Sequence, residues 1–164
     1  MILPLILLLL HTRELEEVQL FNKINEYRTR NGKTALEYSD SLSYVAETHS
    51  IDLFLHFNIK DPCSLHTWSY NPRWTGGCIP EGKNDKWGIM YNKPKELLGM
   101  DVYAYEIAAM NWDKKLPMTP DELLDLWVNS KPHKNVILEN GWPKPFKRMG
   151  VSIYRGVSTV WFAE

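Results

Sequence analysis

The chain has 164 residues, of which 44% are hydrophobic, 12% aromatic and 24% charged. That is the composition of one globular domain with a sizeable core, and it excludes a disordered segment. A formal net charge of −1 excludes the basic footprint of a nucleic-acid binder and the polybasic patch of a membrane-surface protein.

Residues 1–10, Met-Ile-Leu-Pro-Leu-Ile-Leu-Leu-Leu-Leu, are nearly all apolar. A stable transmembrane span needs about 20 such residues. The run matches the apolar centre of a secretory signal peptide, although no Lys or Arg precedes it and no small-x-small site follows at His11-Thr-Arg13. Residues 1–13 are therefore read as a signal-peptide-like segment, and 14–164 as a single domain that is secreted, or periplasmic in a bacterium. The alternative is a short buried N-terminal segment.

From Glu14 to about Arg30 the apolar residues Leu15, Val18, Phe21, Ile24 and Tyr27 recur at helical spacing, and Asn31-Gly32 supplies a stop. A second helix is expected from Ser41 to about His56, capped by Ser39 or Asp40, with an inward stripe of Leu42, Val45, Ala46, His49 and Leu53. On that stripe His49 reads as a hydrogen-bonded interior histidine. His56 sits near the helix end, where a cation is mildly favoured.

Residues 58–100 hold most of the turn chemistry: Asp61-Pro62, Asn71-Pro72, Gly76-Gly77, Pro80, Gly82 and Pro94. One helical turn is expected near Lys95 to Leu98. An irregular stretch of this length is unusual in a compact domain and needs fastening. Trp68, Trp74 and Trp87 could hold it, as could a bridge between Cys63 and Cys78 in an exported protein. Closing that loop contributes on the order of 3 kcal/mol. Two cysteines alone do not make a structural zinc site, which needs four ligands.

Val102 to Trp112 reads as a strand leading into a short helix at Glu106 to Met110. Thr119-Pro-Asp-Glu122 is a capping-box helix start, followed by Leu123, Leu124 and Trp127. Pro132 biases Lys131 away from helical angles, which stops the helix near Ser130. Ser130 is then placed to cap a short helix with His133 in its first turn. Lys147 to Tyr154 and Val157 to Ala163 are strand-like, with a turn at Arg155-Gly156. Helices early and mid-chain with strands near 102, 148 and 158 indicate an α+β layered domain.

Several segments in order form a set: the opening helix with its Asn-Gly stop, Ser41-Leu-Ser-Tyr-Val-Ala-Glu-Thr-His49-Ser, Cys63-Ser-Leu-His66-Thr-Trp68, Tyr105-Glu106-Ile, Trp127-Val-Asn-Ser130-Lys-Pro-His133, and the closing Met149-Gly-Val-Ser-Ile-Tyr and Val160-Trp-Phe-Ala-Glu164. The set resembles the CAP superfamily, also called SCP/TAPS, and its bacterial-type members. The resemblance implies a three-layer α-β-α sandwich with a small central antiparallel sheet. It also implies that His66 and His133 are the two cleft histidines and that Glu106 is the acid of the family's Gly-Glu-Asn motif. Many eukaryotic-type members carry a second acid three positions after the tryptophan; here that position is Ser130, so the full two-His, two-Glu set is not at its usual place.

If His66, Glu106 and His133 converge, they are candidate metal ligands, with zinc the cofactor to consider. They are also candidates for metal-free proton transfer, with Glu106 orienting a histidine, or for a structural polar cluster. Trp68, Trp127 and Ser130 are candidate walls of the same ligand cleft. No Gly-x-Ser-x-Gly elbow supports Ser130 as a nucleophile. The expected function is a secreted, monomeric protein whose cleft binds a divalent metal or small molecule, with enzymatic activity left open. Lipid, sterol, carbohydrate and extracellular protein partners are implied by the family alone. The alternatives are an extracellular hydrolase using a His/Glu site and an interaction module without chemistry.

Overall fold

The structure is a computed structural model describing residues 3–82, 86–113 and 116–164, with side chains from Glu14 onward. The backbone of the signal-like segment is helical from Leu3, continuous with the expected first helix, so that α1 spans Leu3–Arg30; the side chains of 1–13 lie outside the described residues. No described helix is long and apolar enough to cross a membrane. The other helices are α2 (Asp40–His56), α3 (Gly88–Tyr91), α4 (Lys93–Leu98), α5 (Pro120–Val128) and α6 (Lys131–Ile137). The strands are β1 (Glu37–Tyr38), β2 (Ala104–Met110), β3 (Arg148–Tyr154) and β4 (Val157–Ala163), in the order β1-β3-β4-β2.

The three long strands are antiparallel, as expected, but the two-residue β1 runs parallel to β3 and makes the sheet mixed. The expected helix at Glu106 to Met110 does not form. These residues continue β2, paired with β4 from Ala104↔Ala163 to Met110↔Val157. Glu and Ala favour helices intrinsically, but cross-strand pairing and burial on both faces override that preference.

Alternation along the strands sorts two cores. Ile107, Ala109, Val160 and Phe162 pack with Leu20 and Ile24 of α1 and Leu123 and Trp127 of α5. Ala104, Trp161 and Ala163 face the other way, onto Leu42, Val45 and Ala46 of α2. Helices thus cover both faces, which gives the expected α-β-α layering and the continuous burial of β4.

The sheet edges are closed by side chains. Beyond β1, the Val151 amide donates to Ser43 Oγ at 3.1 Å and the Ile153 amide to Glu17 Oε1 at 2.9 Å. On the far edge, Trp127 Nε1 donates to the Ala108 carbonyl at 3.3 Å. Each bond satisfies a group that would otherwise be an orphan or a template for strand addition.

Residues 58–82 are fastened largely as expected. Cys63 and Cys78 form a disulfide with Cα atoms 5.3 Å apart. Around it, Ser64 donates its amide to Ile79 O at 2.8 Å, and Gly77 donates to Trp68 O at 2.8 Å. The Ser69 amide and hydroxyl both donate to Asp52 of α2. The helical turn expected at Lys95 to Leu98 is the longer α4, preceded by α3.

α2 lies flush on β3 at Gly150, where an added Cβ would sit 2.2 Å from the backbone of Leu42 and Ser43. Neither backbone can give way without parting a helix from the sheet. Gly150→Ala is expected to cost about 3 kcal/mol or more by overpacking, lowering the melting temperature by about 10 °C. A thermal melt within about 2 °C of wild type would contradict flush packing.

Candidate functional site

β2 is an edge strand, and its alternation sends Glu106 toward α2. Glu106 is 3% exposed, and its two oxygens are divided between two histidines. His49 Nδ1 of α2 bonds Oε1, and His66 Nδ1 of the disulfide-closed loop bonds Oε2 at 2.8 Å. His49, with no exposed surface, also donates from Nε2 to the Thr67 carbonyl at 2.9 Å. A carbonyl can only accept, so with Glu106 ionised both His49 nitrogens carry protons. Its ring lies parallel to Trp68, centroids 4.1 Å apart and planes 5° apart.

Burial alone would raise the Glu106 pKa. The charge and hydrogen bond of His49, followed by those of His66, outweigh burial and bring it below the ordinary glutamate value. The buried charge is therefore a carboxylate. His66 Nδ1–H donates a hydrogen bond to Glu106 Oε2, and among the described residues its Nε2 has no protein hydrogen bond.

His133 reaches the same place from α6. Ser130 occupies the N-cap position of that helix, as expected, but its hydroxyl makes no cap bond. Pro132 offers no amide proton to it, and Ser130 Oγ instead bonds His133 Nδ1 at 2.9 Å. Arg28 anchors the other end of α6 by donating to the Ile137 carbonyl at 2.5 Å. Burial and the nearby His66 lower the His133 pKa to about 4. At neutral pH its ring is uncharged.

His66, Glu106 and His133, separated in sequence, thus line one hollow of about 380 Å³ at the outer edge of β2. Trp68 and Trp127 do not line it. They are 1% and 0% exposed and belong to the two cores on opposite faces of the sheet. Ser130 orients His133 and does not form a wall. The aromatic walls are Trp87, Tyr91, Tyr105 and Trp142, none expected as cleft residues. Tyr105 meets Tyr91 at 5.0 Å and Trp142 at 4.7 Å, both edge to face. The useful signal was the position of Tyr105 on an edge strand next to Glu106, where both faces of the sheet meet the cleft. Burial, followed by the nearby Tyr103, pushes the Tyr91 pKa up to about 12, so this wall is a neutral phenol.

As metal donors these residues are fewer than expected. Glu106 is occupied on both oxygens by imidazoles, and among the described residues no three His, Cys, Asp or Glu side chains are grouped to hold an ion. Two imidazoles, with Glu106 and Ser130 behind them, are fewer than the three protein ligands of an open zinc site.

A family model for the cysteine-rich secretory protein family, CAP, matches residues 21–161. No curated protein matches the chain. Among solved structures, it is similar to an extracellular protein containing an SCP domain from Bacillus anthracis str. Ames, with 21% identity and a TM-score of 0.63, over 93% of this chain and 41% of that one. It is also similar to a cysteine-rich secretory protein from Staphylococcus aureus subsp. aureus Mu50, with 13% identity and a TM-score of 0.62, over 93% and 39%. An outer surface protein from Borrelia burgdorferi aligns at 18% identity and a TM-score of 0.59, over 88% and 89%. The chain spans about two fifths of the first two, and at these identities the likeness is one of fold. With its α-β-α layers and the family match over most of its length, the chain belongs to the cysteine-rich secretory protein family, CAP.

Proposed function

We propose that this chain is an exported CAP-domain protein whose cleft holds a divalent cation, or a small hydrogen-bonding ligand, between the Nε2 atoms of His66 and His133. One observation supports this most. Each ring has Nδ1 committed to a protein partner, Glu106 or Ser130, and among the described residues Nε2 has no protein hydrogen bond. Histidines that bind metals are commonly held in this way by a group one step behind. Glu106 is then a positioning carboxylate and not a ligand. Two nitrogens leave the other positions of a zinc-like ion open to water or to a donor on a ligand, so binding is weak and exchangeable. A bound ion would supply Lewis acidity to whatever filled those positions.

No reaction is assigned. The Ser130–His133 bond is local to the start of α6, and it orients the ring. Export is supported by the apolar run at residues 1–10 and by the Cys63–Cys78 disulfide. Two similar structures are described as an extracellular and an outer surface protein.

Zinc titration by calorimetry at pH 7 tests the site. Wild type is expected to bind one ion, His66→Ala and His133→Ala to lose it, and Glu106→Gln to bind about 10- to 100-fold more weakly. Glu106→Gln binding as tightly as wild type, or an unchanged response in the double histidine variant, would overturn the reading.

In the ion-free protein, His133 is expected to titrate by NMR at about 4. Because its folded value lies below the ordinary value of about 6.5, the unfolded chain takes up that proton first. Its contribution to stability is complete above about pH 6.5, falls as pH drops, and levels off below the folded midpoint. A His133 midpoint near 6.5 would show that the ring is neither buried nor beside His66.

A further inference from the structure

A second hollow adjoins the histidine cleft and shares Tyr105, Trp142 and Pro143 with it. Its volume is about 340 Å³, its walls are Tyr103, Tyr105, Trp142 and Phe146, and Lys144 and Glu164 also line it. Tyr105 is the hub of the walls. It meets Tyr103 at 5.3 Å and 53°, Trp142 at 4.7 Å and 67°, and Phe146 at 5.7 Å and 47°. Rings inclined in this way make a concave wall and not a flat stack. Among the described residues no ring contact joins Tyr103 to Trp142 or Phe146, and the hollow lies between them.

The electron-rich ring faces attract cations. Among the described residues no Lys or Arg lies over any of these four rings. The lysine at hand, Lys144, is turned to Glu164, with Nζ 2.7 Å from Oε2. The hydrogen bond from Lys144 holds the Glu164 carboxyl below its ordinary value, so it is ionised. Burial raises the Tyr105 phenol above its ordinary value, so that wall is neutral.

A simple cation entering this hollow must compete with Lys144 for Glu164. A simple anion meets an aromatic floor. A ligand carrying both charges exchanges the Lys144–Glu164 pair for two pairs: its cation faces the rings and Glu164, and its anion faces Lys144. We propose that this hollow binds a zwitterion of the phosphocholine type, a quaternary ammonium joined by a short spacer to a phosphate. The methyl groups add apolar contact with Tyr103, Trp142 and Phe146 that a bare ammonium lacks. The headgroup of a lipid and the free compound present the same chemistry. The site is separate from the histidine pair and does not depend on an ion there.

Calorimetry with phosphocholine tests the proposal, with phosphoethanolamine and inorganic phosphate as comparators. Saturable binding of phosphocholine is expected, about tenfold weaker for phosphoethanolamine and in Tyr103→Ala, with Glu164→Gln weakened as well and inorganic phosphate not bound. His133→Ala, which disables the neighbouring cleft, is expected to keep phosphocholine affinity, so failure of the zinc site and failure of this site are distinguishable. Tyr103 is 52% exposed, so its truncation leaves the core intact. Co-sedimentation with phosphatidylcholine vesicles, and not with phosphatidylglycerol vesicles, supports a membrane source. Binding of the free compound alone supports a soluble one. Absence of saturation at millimolar phosphocholine, equal affinity for phosphoethanolamine, or full affinity in Tyr103→Ala would overturn the proposal.

Discussion

Glu106 carries a carboxylate with almost no exposed surface, and each of its oxygens meets an imidazole from a different part of the chain. An ion taken out of water costs several kcal/mol unless partners of opposite charge and well-placed protons surround it. His49 supplies the charge and His66 a further proton. The arrangement ties α2, β2 and the disulfide-closed loop at one point. His49 stacks on Trp68, and Asp52, on the same helix, receives both Ser69 donors. The loop that presents His66 is therefore held by polar groups buried beneath it, as well as by its disulfide.

The opposite wall of the cleft has its own supports. α6 is short, and Pro132 at its second position removes one of the protons an N-cap would bind. The Ser130 hydroxyl, released from capping, aims His133. Arg28 reaches from α1 to the carbonyl end of α6, where a cation also suits the helix dipole. The two histidines therefore differ in kind. His66 is oriented by a charge in the interior, and His133 by a neutral hydroxyl in a partly buried pocket that keeps its ring unprotonated. Tyr105 and Trp142 then form a common wall between the histidine cleft and the aromatic hollow.

What could be read from the sequence was mostly local. The Thr119–Glu122 capping box, the Ser39 cap and the Arg155–Gly156 turn between β3 and β4 depend on near neighbours and appear where expected. β1 has only two residues and no period to detect. Glu106 to Met110 reads as helix in sequence, but its helix-favouring residues are held extended by β4. The fold brings the three candidate site residues to one hollow, as the family resemblance implies; nothing in their spacing does so. His49 was legible as an interior histidine from its helical stripe, but its partner is 57 residues away and lies on another element. Trp68 and Trp127 neighbour the cleft histidines in sequence but pack in the two cores. Leu123 and Trp127 lie four apart on one helix, which was the local sign that Trp127 belongs to the core.

The central claim is that one buried carboxylate fixes the protonation of two rings. Nitrogen-15 NMR of the histidine side chains at neutral pH tests it most directly, because protonated and unprotonated ring nitrogens give distinct signals. Both His49 nitrogens are expected to carry protons, and His66 to carry one on Nδ1. A neutral His49, or a His66 protonated on Nε2 alone, would contradict it.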